Sequence, residues 1–317
     1  MPRPLFTLEP RLQLCADWVR PGVKMADIGT DHGYLPIWLA KQGKISHGIA
    51  ADIALAPLRA AQRNIDRYHA QGLVHARLSD GLAQVFPHEA DDVVIAGMGG
   101  ENIREIIRAA AWLRNPEKHL ILQPMSSAED LRLYLAQAGF FIEREQAVAE
   151  KKHIYSVLLV RYLGAVEVFS AAYPYIGRLD AAAAENRAYL RQKLAGLRKM
   201  ETGARCAGKT AEAEQYAAAG AEIAALLELS LIHISRVNPR GILRKENTDL
   251  YYSSLIFAKH SLQYTGRSSR GLKGTFASLP QLAQMAVNIS RSGLEAFLRA
   301  SRQALHLWGS FTKPLEA

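Results

Sequence analysis

The chain has 317 residues, enough for two domains with separate cores, and its 49% hydrophobic and 22% charged content is ordinary for a globular protein. It contains no uncharged apolar run of about 18 residues and no apolar stretch of a secretory signal near its start, so neither a spanning helix nor export is expected. The only cysteines, Cys15 and Cys206, lie far apart without a CxxC or histidine-rich neighbourhood, which argues against a disulfide framework and a structural zinc site. The sequence therefore predicts a cytoplasmic protein without a metal site or membrane association.

The net charge of +9 is concentrated in the last part of the chain. Residues 1–165 carry a net charge of +1, residues 166–229 are neutral, and residues 230–317 carry +8. Serine changes at the same point, with six serines before residue 230 and twelve from there on. Two independent statistics therefore predict a boundary between Leu229 and Ser230.

The first 165 residues alternate short apolar runs with amphipathic stretches, which is typical of a parallel sheet covered by helices on both faces. The predicted strands cover residues 23–28, 48–52, 74–78, 93–96, 120–123, 140–149 and 155–162. The predicted helices between them cover residues 35–41, 55–68, 102–110 and 128–138. The last two strands follow each other directly, which predicts a closing β-hairpin with one antiparallel strand. The order of the strands does not follow from these patterns.

Two further helices are predicted after Pro174. Residues 180–201 are rich in Ala, Leu and Arg, and residues 211–228 are rich in Ala, Glu and Leu. At 3.6 residues per turn, four leucines share one helical face: Leu179, Leu190, Leu194 and Leu197. With residues 202–210 as the turn region, the two segments predict an antiparallel, coiled-coil-like helical hairpin.

The segment Met25-Ala-Asp-Ile-Gly-Thr-Asp-His-Gly-Tyr-Leu-Pro36 is the strongest local signal in the chain. Gly29 and Gly33 allow the backbone to approach a ligand closely. Their Gly-x-x-x-Gly spacing fits neither the dinucleotide fingerprint nor the P-loop, and Asp27 and Asp31 would repel a pyrophosphate. These acids suit instead a cationic or polyhydroxyl ligand, such as the amino group and ribose of S-adenosylmethionine. The alternative interpretation is a tight strand-to-helix turn that binds no ligand.

Acidic residues also follow the second and third predicted strands. Asp52 stands where an acid of a Rossmann-type sheet accepts hydrogen bonds from ribose hydroxyls, although a helix cap explains a lone aspartate equally well. Asp80-Gly81 stands where a loop can reach the exocyclic amine of an adenine, although Asp-Gly is also an ordinary turn. The occurrence of acids after three successive strands indicates a ligand more strongly than any one of them.

The fourth predicted strand is followed by Gly97-Met-Gly-Gly100, which in methyltransferases faces the methyl acceptor. Only the backbone and Met98 are available there, so a side-chain base is missing. Adenine N1 is unprotonated at neutral pH and needs no base, and its methylation would depend mainly on in-line positioning. A glycine-rich turn that opens a helix at Asn102 is the alternative, and it accounts for two of the three glycines.

Six motifs in this order closely resemble the bacterial tRNA (adenine(22)-N1)-methyltransferase (TrmK) family. The resemblance covers residues 5–165, with looser similarity to about residue 228. The motifs are Arg11-Leu12, the segment at residues 26–36, Ala50-Ala-Asp52, Arg77-Leu-Ser-Asp-Gly-Leu82, Ile95-Ala-Gly-Met-Gly-Gly100 and Leu120-Ile-Leu-Gln-Pro124. The resemblance implies an α/β fold with a Rossmann-like class I methyltransferase sheet, followed by a helical hairpin. It also implies S-adenosyl-L-methionine as methyl donor and N1 of adenine 22 in tRNA as acceptor.

The resemblance also suggests which residues form the sites. The cofactor site would be lined by Asp27, Gly29, Thr30, Asp31, His32, Gly33, Asp52, Asp80 and Gly81. The target base would be bordered by Asp31, Gly97, Met98 and Gly99, with no catalytic side chain assigned. For tRNA binding, the candidates are Arg11 and an arginine stripe of the first hairpin helix, made of Arg187, Arg191 and Arg198. A solvated helix face is the alternative interpretation of that stripe.

Three domains are predicted: a methyltransferase domain at residues 1–165, a tRNA-contacting hairpin at 166–229, and a basic tail at 230–317. The chain departs from the family pattern at Tyr155-Ser156, where the family has Tyr-Glu, and in the tail, which has no family counterpart. The string Leu229-Ser-Leu-Ile-His-Ile-Ser235 resembles translated sequencing-adapter read-through. We therefore predict that the tail is an artefact or a fusion, with a basic RNA-binding extension as the alternative.

Two other functions remain open at the level of sequence. One is a class I methyltransferase that acts on another RNA or on a small molecule, because the cofactor residues do not distinguish acceptors. The other is a non-catalytic RNA-binding protein that retains the fold, against which the complete series of acids argues. The oligomeric state is open as well.

Overall fold

The structure, a computed structural model, describes residues 5–166 and 169–235, all within a single compact unit. Its strands are β1 (Lys24–Ile28), β2 (His47–Asp52), β3 (Val74–Leu78), β4 (Asp92–Gly99), β5 (His119–Ser126), β6 (Phe140–Glu150) and β7 (His153–Tyr162). Its α-helices are α1 (Pro10–Trp18), α2 (Tyr34–Lys41), α3 (Leu55–Arg67), α4 (Gly100–Ala109), α5 (Ala128–Gln137), α6 (Tyr173–Ile176), α7 (Ala184–Cys206) and α8 (Thr210–Ser235). A 3₁₀ turn at Ala111–Leu113 follows α4.

The seven strands form one sheet in the order β3-β2-β1-β4-β5-β7-β6. Strands β1 to β5 run parallel, and β7 lies antiparallel between β5 and β6. The predicted Rossmann-like sheet and its closing hairpin with one antiparallel strand are therefore confirmed. The order of the strands reverses between β1 and β4, and open α/β sheets bind ligands at such a reversal, beyond the carboxyl ends of the strands.

Alternate residues of the central strands belong to two buried layers on opposite faces of the sheet. Ala26 and Ile28 of β1 pack in the layer that contains α4 and α5, whereas Met25 packs in the layer that contains α1, α2 and α3. In β4, Ile95 belongs to the first layer and Val94 to the second. Because both faces are covered, these strands are nearly continuous apolar runs rather than alternating ones.

Helix α1 is missing from the sequence prediction. Pro10 occupies its first turn, where a proline is tolerated because the first N–H groups of a helix have no partner within it. Its buried side chains include Leu14, Cys15 and Ala16, which are consecutive in sequence. A short helix buried on more than one side has no single-faced periodicity, so the pattern search does not detect it.

Helix α7 begins at Ala184, four residues later than predicted. The Asp180 carboxylate accepts hydrogen bonds from the Ala182 N–H (2.9 Å) and from Asn186 Nδ2 (3.0 Å). These local bonds fix a turn before the helix and compete with helical pairing, although the following alanines favour a helix. The predicted start at residue 180 is therefore wrong.

Helix α7 also continues beyond its predicted end, to Cys206. Gly208 has a φ of 71°, and the Lys209 N–H donates to the Ala204 carbonyl (2.9 Å), as in a Schellman motif. Thr202, predicted to open the turn, instead lies inside the helix and donates its hydroxyl to the Arg198 carbonyl. The connection to α8 is therefore only three residues long, 207–209.

Helices α7 and α8 pack against each other through a third apolar cluster. Leu190 and Leu197 of α7 meet Ala219 and Ile223 of α8, and all four are buried. The backbone of α8 runs through the predicted boundary at residue 230 and is described as far as Ser235. The remainder of the predicted tail, residues 236–317, lies outside the described residues.

The two cysteines have opposite environments: Cys15 is buried and Cys206 is exposed. Burial, reinforced by the charge of Asp27, raises the pKa of the Cys15 thiol. Over the described part of the chain, every helix is too short or too polar to cross a membrane. The same residues include no cluster of three or more His, Cys, Asp or Glu side chains that could hold a metal ion.

Candidate active site

The carboxyl ends of β1, β2 and β3 are joined by hydrogen bonds that continue beyond the strands. The N–H groups of Gly29 and Thr30 both donate to the Ala51 carbonyl, at 2.9 and 3.0 Å. The Ser79 N–H donates to the Asp52 carbonyl at 2.9 Å. The loops that carry the predicted acids are therefore neighbours, because the parallel strands bring their ends to one edge of the sheet.

Asp27 is the buried acid of this edge, with 7% of its surface exposed. Burial, with a smaller contribution from the nearby Asp52 carboxylate, raises the pKa of its carboxyl to about 6. Thr30 partly offsets the rise, although its buried hydroxyl has no hydrogen-bond partner of normal geometry. Asp27 and Thr30 thus present polar atoms that lack full protein partners next to the glycine loop.

Gly29 and Gly33 have φ values of 75° and 69°, in the left-handed region that favours glycine. A Cβ on Gly29 would lie 2.1 Å from Met98 Cε, and one on Gly33 would lie 3.2 Å from Ala61 Cβ. The loop therefore needs glycine both for its backbone conformation and for the space it leaves. Buried polar atoms beside a bare backbone fit an amino-acid or nucleoside ligand.

One carboxylate oxygen of Asp52 accepts a hydrogen bond, and the other accepts none from the described residues. Its Oδ1 accepts the Ala54 N–H at 2.8 Å, which forms a turn before α3. The interpretation of Asp52 as a local turn residue and its interpretation as a ligand residue are therefore compatible. Asp80 is exposed, and the following Gly81 has a φ of 54° and packs against Ile106 of α4.

Asp31 and His32 lie at the outer rim of the same loop. The Asp31 carboxylate approaches His32 Nε2 at 3.2 Å, and its side chain is 80% exposed. The His32 carbonyl accepts a hydrogen bond from Asn64 Nδ2 (2.9 Å) in α3. The Asp31 carboxylate therefore lies at the surface, next to His32. Its role at the target base stays a prediction.

The predicted end of the fourth strand, Ala96, is wrong, because β4 continues to Gly99. Met98 and Gly99 pair with Pro124 and Ser126 of β5 past an irregularity in register. The Met98 side chain folds over Gly29, so the end of β4 and the glycine loop of β1 are in direct contact. The segment predicted to face the methyl acceptor therefore borders the predicted cofactor loop.

Gln123 and Arg11 hold the backbone at Gly97. The Oε1 atom of the fully buried Gln123 accepts hydrogen bonds from the Gly97 N–H and from Arg11 Nη1, both at 3.0 Å. The Arg11 Nε atom also donates to Glu150 Oε1 at 3.1 Å. Arg11 is thus engaged by protein groups beside Gly97, rather than projecting freely towards RNA.

The three arginines of the predicted stripe differ in their surroundings. Arg187 donates to the carbonyls of Ala181 and Ala182 and is half-buried. Arg191 and Arg198 are exposed, and neither forms an ion pair within the described residues. Arg191 and Arg198 are therefore the members available to a phosphate.

Sequence reasoning missed Gln123 and Asn64, both of which position this site. Each is a polar residue in an apolar setting, Gln123 within the buried part of β5 and Asn64 on the buried face of α3. A buried polar side chain is the signal that could have identified them, because such groups are almost always hydrogen-bonded. Their partners are 26 and 32 residues away and could not be named from the sequence.

The order of the strands, the antiparallel β7 and the acids after three parallel strands are those of a Rossmann-like class I methyltransferase fold. A family model described as a methyltransferase domain matches residues 8–158. The tRNA (adenine(22)-N(1))-methyltransferase of Bacillus subtilis (strain 168) is 35% identical over 152 residues, which are 48% of this chain and 64% of that protein. A putative tRNA methyltransferase of Mycoplasma pneumoniae is 37% identical over 136 residues, which are 42% of this chain and 61% of that protein. The chain thus spans less than two thirds of the length of these curated relatives.

Solved structures give the same result over a longer part of the chain. The Bacillus subtilis M1A22 tRNA methyltransferase superposes with a TM-score of 0.59 and 29% identity, over 71% of this chain and 98% of that one. A putative tRNA (m1A22) methyltransferase of Streptococcus pneumoniae, in complex with S-adenosyl-L-methionine, gives 0.59 and 27% over 68% and 98%. The chain is thus similar to bacterial tRNA (adenine(22)-N1)-methyltransferases in sequence and in fold, in agreement with the resemblance of its motifs.

Proposed function

We propose that this chain uses S-adenosyl-L-methionine to methylate N1 of adenine 22 in tRNA. The observation that carries the proposal is the contact between Met98 and Gly29, which joins the acceptor end of β4 to the cofactor loop of β1. Similarity to the Bacillus subtilis tRNA (adenine(22)-N(1))-methyltransferase supports the choice of acceptor.

The residues at the edge of the sheet fit the cofactor in charge and in shape. Asp27, beside the glycine loop, would hold the amino group, because its ionised carboxylate lacks a cationic protein partner there. Asp52 would bind the ribose hydroxyls through its free oxygen. Asp80 would accept a hydrogen bond from the exocyclic amine of the adenine. Bare backbone at Gly29 lets the Met98 side chain pack directly on the glycine loop.

The acceptor segment, Gly97–Gly100, would promote methyl transfer by orienting the acceptor base rather than by removing a proton. When bound, S-adenosyl-L-methionine supplies a methyl group on a positively charged sulfur, which an unprotonated adenine N1 can accept without a base. Gln123 fixes the Gly97 N–H, and Arg11 braces Gln123 from the other side. Gln123 and Arg11 are therefore positioning residues. Met98 lies between the acceptor segment and the cofactor loop and contacts Gly29.

Three predicted features complete the proposal. Arg191 and Arg198 bind phosphates of the tRNA, since both are exposed and neither pairs with a carboxylate of the described residues. The catalytic domain occupies residues 1–165, and the hairpin begins at residue 166 and includes α8 through Ser235. The rest of the tail, residues 236–317, takes no part in the reaction.

The function is tested by transfer of labelled methyl groups to two tRNA transcripts that differ only at nucleotide 22. We expect label on the transcript with adenine, mapped to N1, and none above background on the transcript with guanine. Equal labelling of both would refute the proposed acceptor but leave the class of enzyme intact. A folded sample that binds no S-adenosylhomocysteine in calorimetry would refute the methyltransferase itself.

A further inference from the structure

A cleft with a volume of about 420 Å³ lies between the sheet and the face of α7 that carries Tyr189, Gln192, Lys193, Gly196 and Met200. Its other walls are the end of β5, the first turn of α5 and the start of β7. This volume is within the range of small-ligand sites. The cofactor residues after β1, β2 and β3 do not line it.

The cleft shares a wall with the acceptor segment. Ser126 and Ser127 line the cleft, and Ser126 is the partner of Gly99 in the sheet. A Cβ on Gly100 would lie only 2.2 Å from the Ser127 carbonyl oxygen, so the two backbones are in close contact. Whatever occupies the cleft is therefore a direct neighbour of a base presented to Gly97–Gly100.

The side chains inside the cleft suit a flat, uncharged group. Tyr155 and Tyr175 offer aromatic faces, and Met125 and Met200 are exposed apolar side chains, 44% and 41% accessible. Aromatic and methionine side chains of this kind stack on nucleobases, which is a major source of affinity for single-stranded nucleic acid.

The charges inside the cleft cancel. Lys193 Nζ lies 2.5 Å from Glu129 Oε1 and 5.2 Å from the centre of the Tyr189 ring. Burial alone would raise the pKa of the Glu129 carboxyl, but the hydrogen bond and the charge of Lys193, with smaller contributions from a backbone hydrogen bond and Arg132, together outweigh burial and lower that pKa. The pair is therefore ionised and internally neutralised, which leaves no free charge in the cleft for a phosphate.

The rim of the cleft is basic where its interior is neutral. Lys151 and Lys152 form the turn between β6 and β7, His153 begins β7, all three are exposed, and His153 lines the cleft. The two lysines form no ion pair within the described residues. A nucleotide with its base inside the cleft would have its phosphates beside this turn.

We propose that the cleft binds a nucleotide of the RNA substrate that adjoins the methylated adenine, with its base among Tyr155, Tyr175 and Met200. Its phosphates contact Lys151 and Lys152. This inference rests on the proposed function, because it requires an RNA substrate. The proposed nucleotide site and the arginine stripe lie on opposite faces of α7, because at 3.6 residues per turn the cleft face is roughly 180° from the stripe.

Gly196 provides a direct test, because it lies on the cleft face in the middle of α7. A Cβ at this position would meet no atom within 4 Å, so an aromatic side chain added there enters the open cleft. Gly203 is a matched control on the same helix, equally free of neighbours and outside the cleft. Since both substitutions replace an interior helical glycine, their effects on the stability of the helix are comparable.

We expect Gly196→Phe to raise the dissociation constant and the KM for tRNA at least about tenfold, with unchanged affinity for S-adenosylhomocysteine. Gly203→Phe should leave both values within about twofold of the unmodified protein. Unchanged tRNA binding by a Gly196→Phe protein with normal circular dichroism would overturn the cleft proposal alone. Failure of the unmodified protein to bind or methylate tRNA would overturn the proposed function and the cleft with it.

A second variant keeps the test decisive if Gly196→Phe folds poorly. Replacing Lys151 and Lys152 by Gln leaves the cleft intact but removes the proposed phosphate contacts. The slope of log K for tRNA against log salt should then become shallower by about 1 to 2. An unchanged slope would exclude the turn between β6 and β7 from the RNA interface and overturn the proposed placement of the nucleotide.

Discussion

Asp27 places a carboxylate in a buried position where binding and stability have opposite requirements. Its pKa of about 6 means that the folded protein holds a proton there more tightly than the unfolded chain does, whose carboxyl has its ordinary value near 3.8. Folding stability therefore falls as the pH rises from about 4 to about 6, and stays at the lower level above that range. An ionised Asp27 is nevertheless what a bound ammonium group requires.

We expect Asp27→Asn to stabilise the ligand-free protein at pH 8, by roughly 2–3 kcal/mol, and to change its stability little at pH 4. Urea unfolding at the two pH values measures this difference. The same variant should bind S-adenosylhomocysteine more weakly at pH 8, and in the unmodified protein the affinity should fall below about pH 6. Asp31→Asn is the control, because that exposed side chain has no burial to relieve. Equal destabilisation of Asp27→Asn at both pH values would contradict this account.

Gly29 and Met98 allow the contact between the two loops to be measured. Gly29→Ala should weaken the binding of S-adenosylhomocysteine, because an alanine at a φ of 75° is strained by about 1–2 kcal/mol and its Cβ would clash with Met98 Cε. In a Met98→Ala background only the strain remains, so the loss of affinity should be smaller by about 0.5–3 kcal/mol. Calorimetry on the four proteins of the cycle gives the difference. Identical losses in both backgrounds would mean that Met98 simply moves aside.

The acids of the site could be predicted from the sequence because each follows a strand at a fixed place. Asp27, Asp52 and Asp80 need only the rule that parallel strands end at one edge of a sheet, and the hydrogen bonds beyond β1 and β2 confirm that their loops are neighbours. The bracing of Gly97 by Gln123 and Arg11 could not be predicted. Arg11 and Gln123 are 112 residues apart, and their contact depends on a helix, α1, that has no periodic pattern.

At the scale of elements, a buried ion pair ties the hairpin to the sheet. Arg132 of α5 and Glu145 of β6 are both fully buried in their side chains, with Nη2 and Oε1 2.6 Å apart. Arg132 also donates to Ser156 Oγ of β7 and to Tyr189 Oη of α7, at 3.1 and 3.2 Å. Gly177 leaves the space that the Glu145 carboxylate occupies. Five segments therefore converge on one guanidinium group.

Removing one partner of this pair should be far more damaging than removing both. We expect Glu145→Gln to destabilise the protein by roughly 3–5 kcal/mol, because it leaves the Arg132 charge buried without a carboxylate. Arg132→Met combined with Glu145→Leu should be less destabilising than the single change, since no uncompensated charge remains. Denaturant unfolding provides the comparison, and a double variant less stable than Glu145→Gln would show that hydrogen bonds to Ser156 and Tyr189 dominate.

The arginine stripe yields a prediction that separates its members. Replacing Arg191 and Arg198 by Gln should lower the affinity for tRNA and flatten its dependence on salt, with no effect on binding of S-adenosylhomocysteine. Arg187→Gln should affect mainly stability, because its guanidinium is bound to the Ala181 and Ala182 carbonyls. Salt titrations of tRNA binding distinguish the two variants. An unchanged slope for the double variant would make the stripe an ordinary solvated face.

The boundaries of the elements show where sequence patterns fail and why. Strand β3 lies where it is predicted, because the alternation of Val74, Ala76 and Leu78 with polar residues is a local signal. Strand β4 extends past its predicted end because its last residues pair with β5, and that pairing involves residues more than 20 positions away. Helix α7 starts late because one side chain, Asp180, captures the backbone before it.

At the scale of the whole molecule, the tail can be tested by truncation. A chain that ends at Ser235 keeps all of α8 as the structure shows it, and we expect it to fold and to methylate tRNA about as well as the full chain. A chain that ends at Glu228 lacks the last turns of that helix and is a less suitable test. Initial rates and tRNA affinity at two salt concentrations are the measurements. A large loss of affinity that low salt restores would identify the tail as a basic arm.

The contrast between the two cysteines makes the protein suited to site-specific spectroscopy. Cys15 is buried and its thiol pKa is raised, so a maleimide dye or a nitroxide should attach in the native state only at Cys206. That residue closes α7 at the turn of the hairpin. A single probe there, introduced without any mutation, would report the approach of an RNA to the tip of the hairpin through fluorescence or electron spin resonance. The natural sequence thus carries its own labelling position at the end of the helix pair that we propose to contact tRNA.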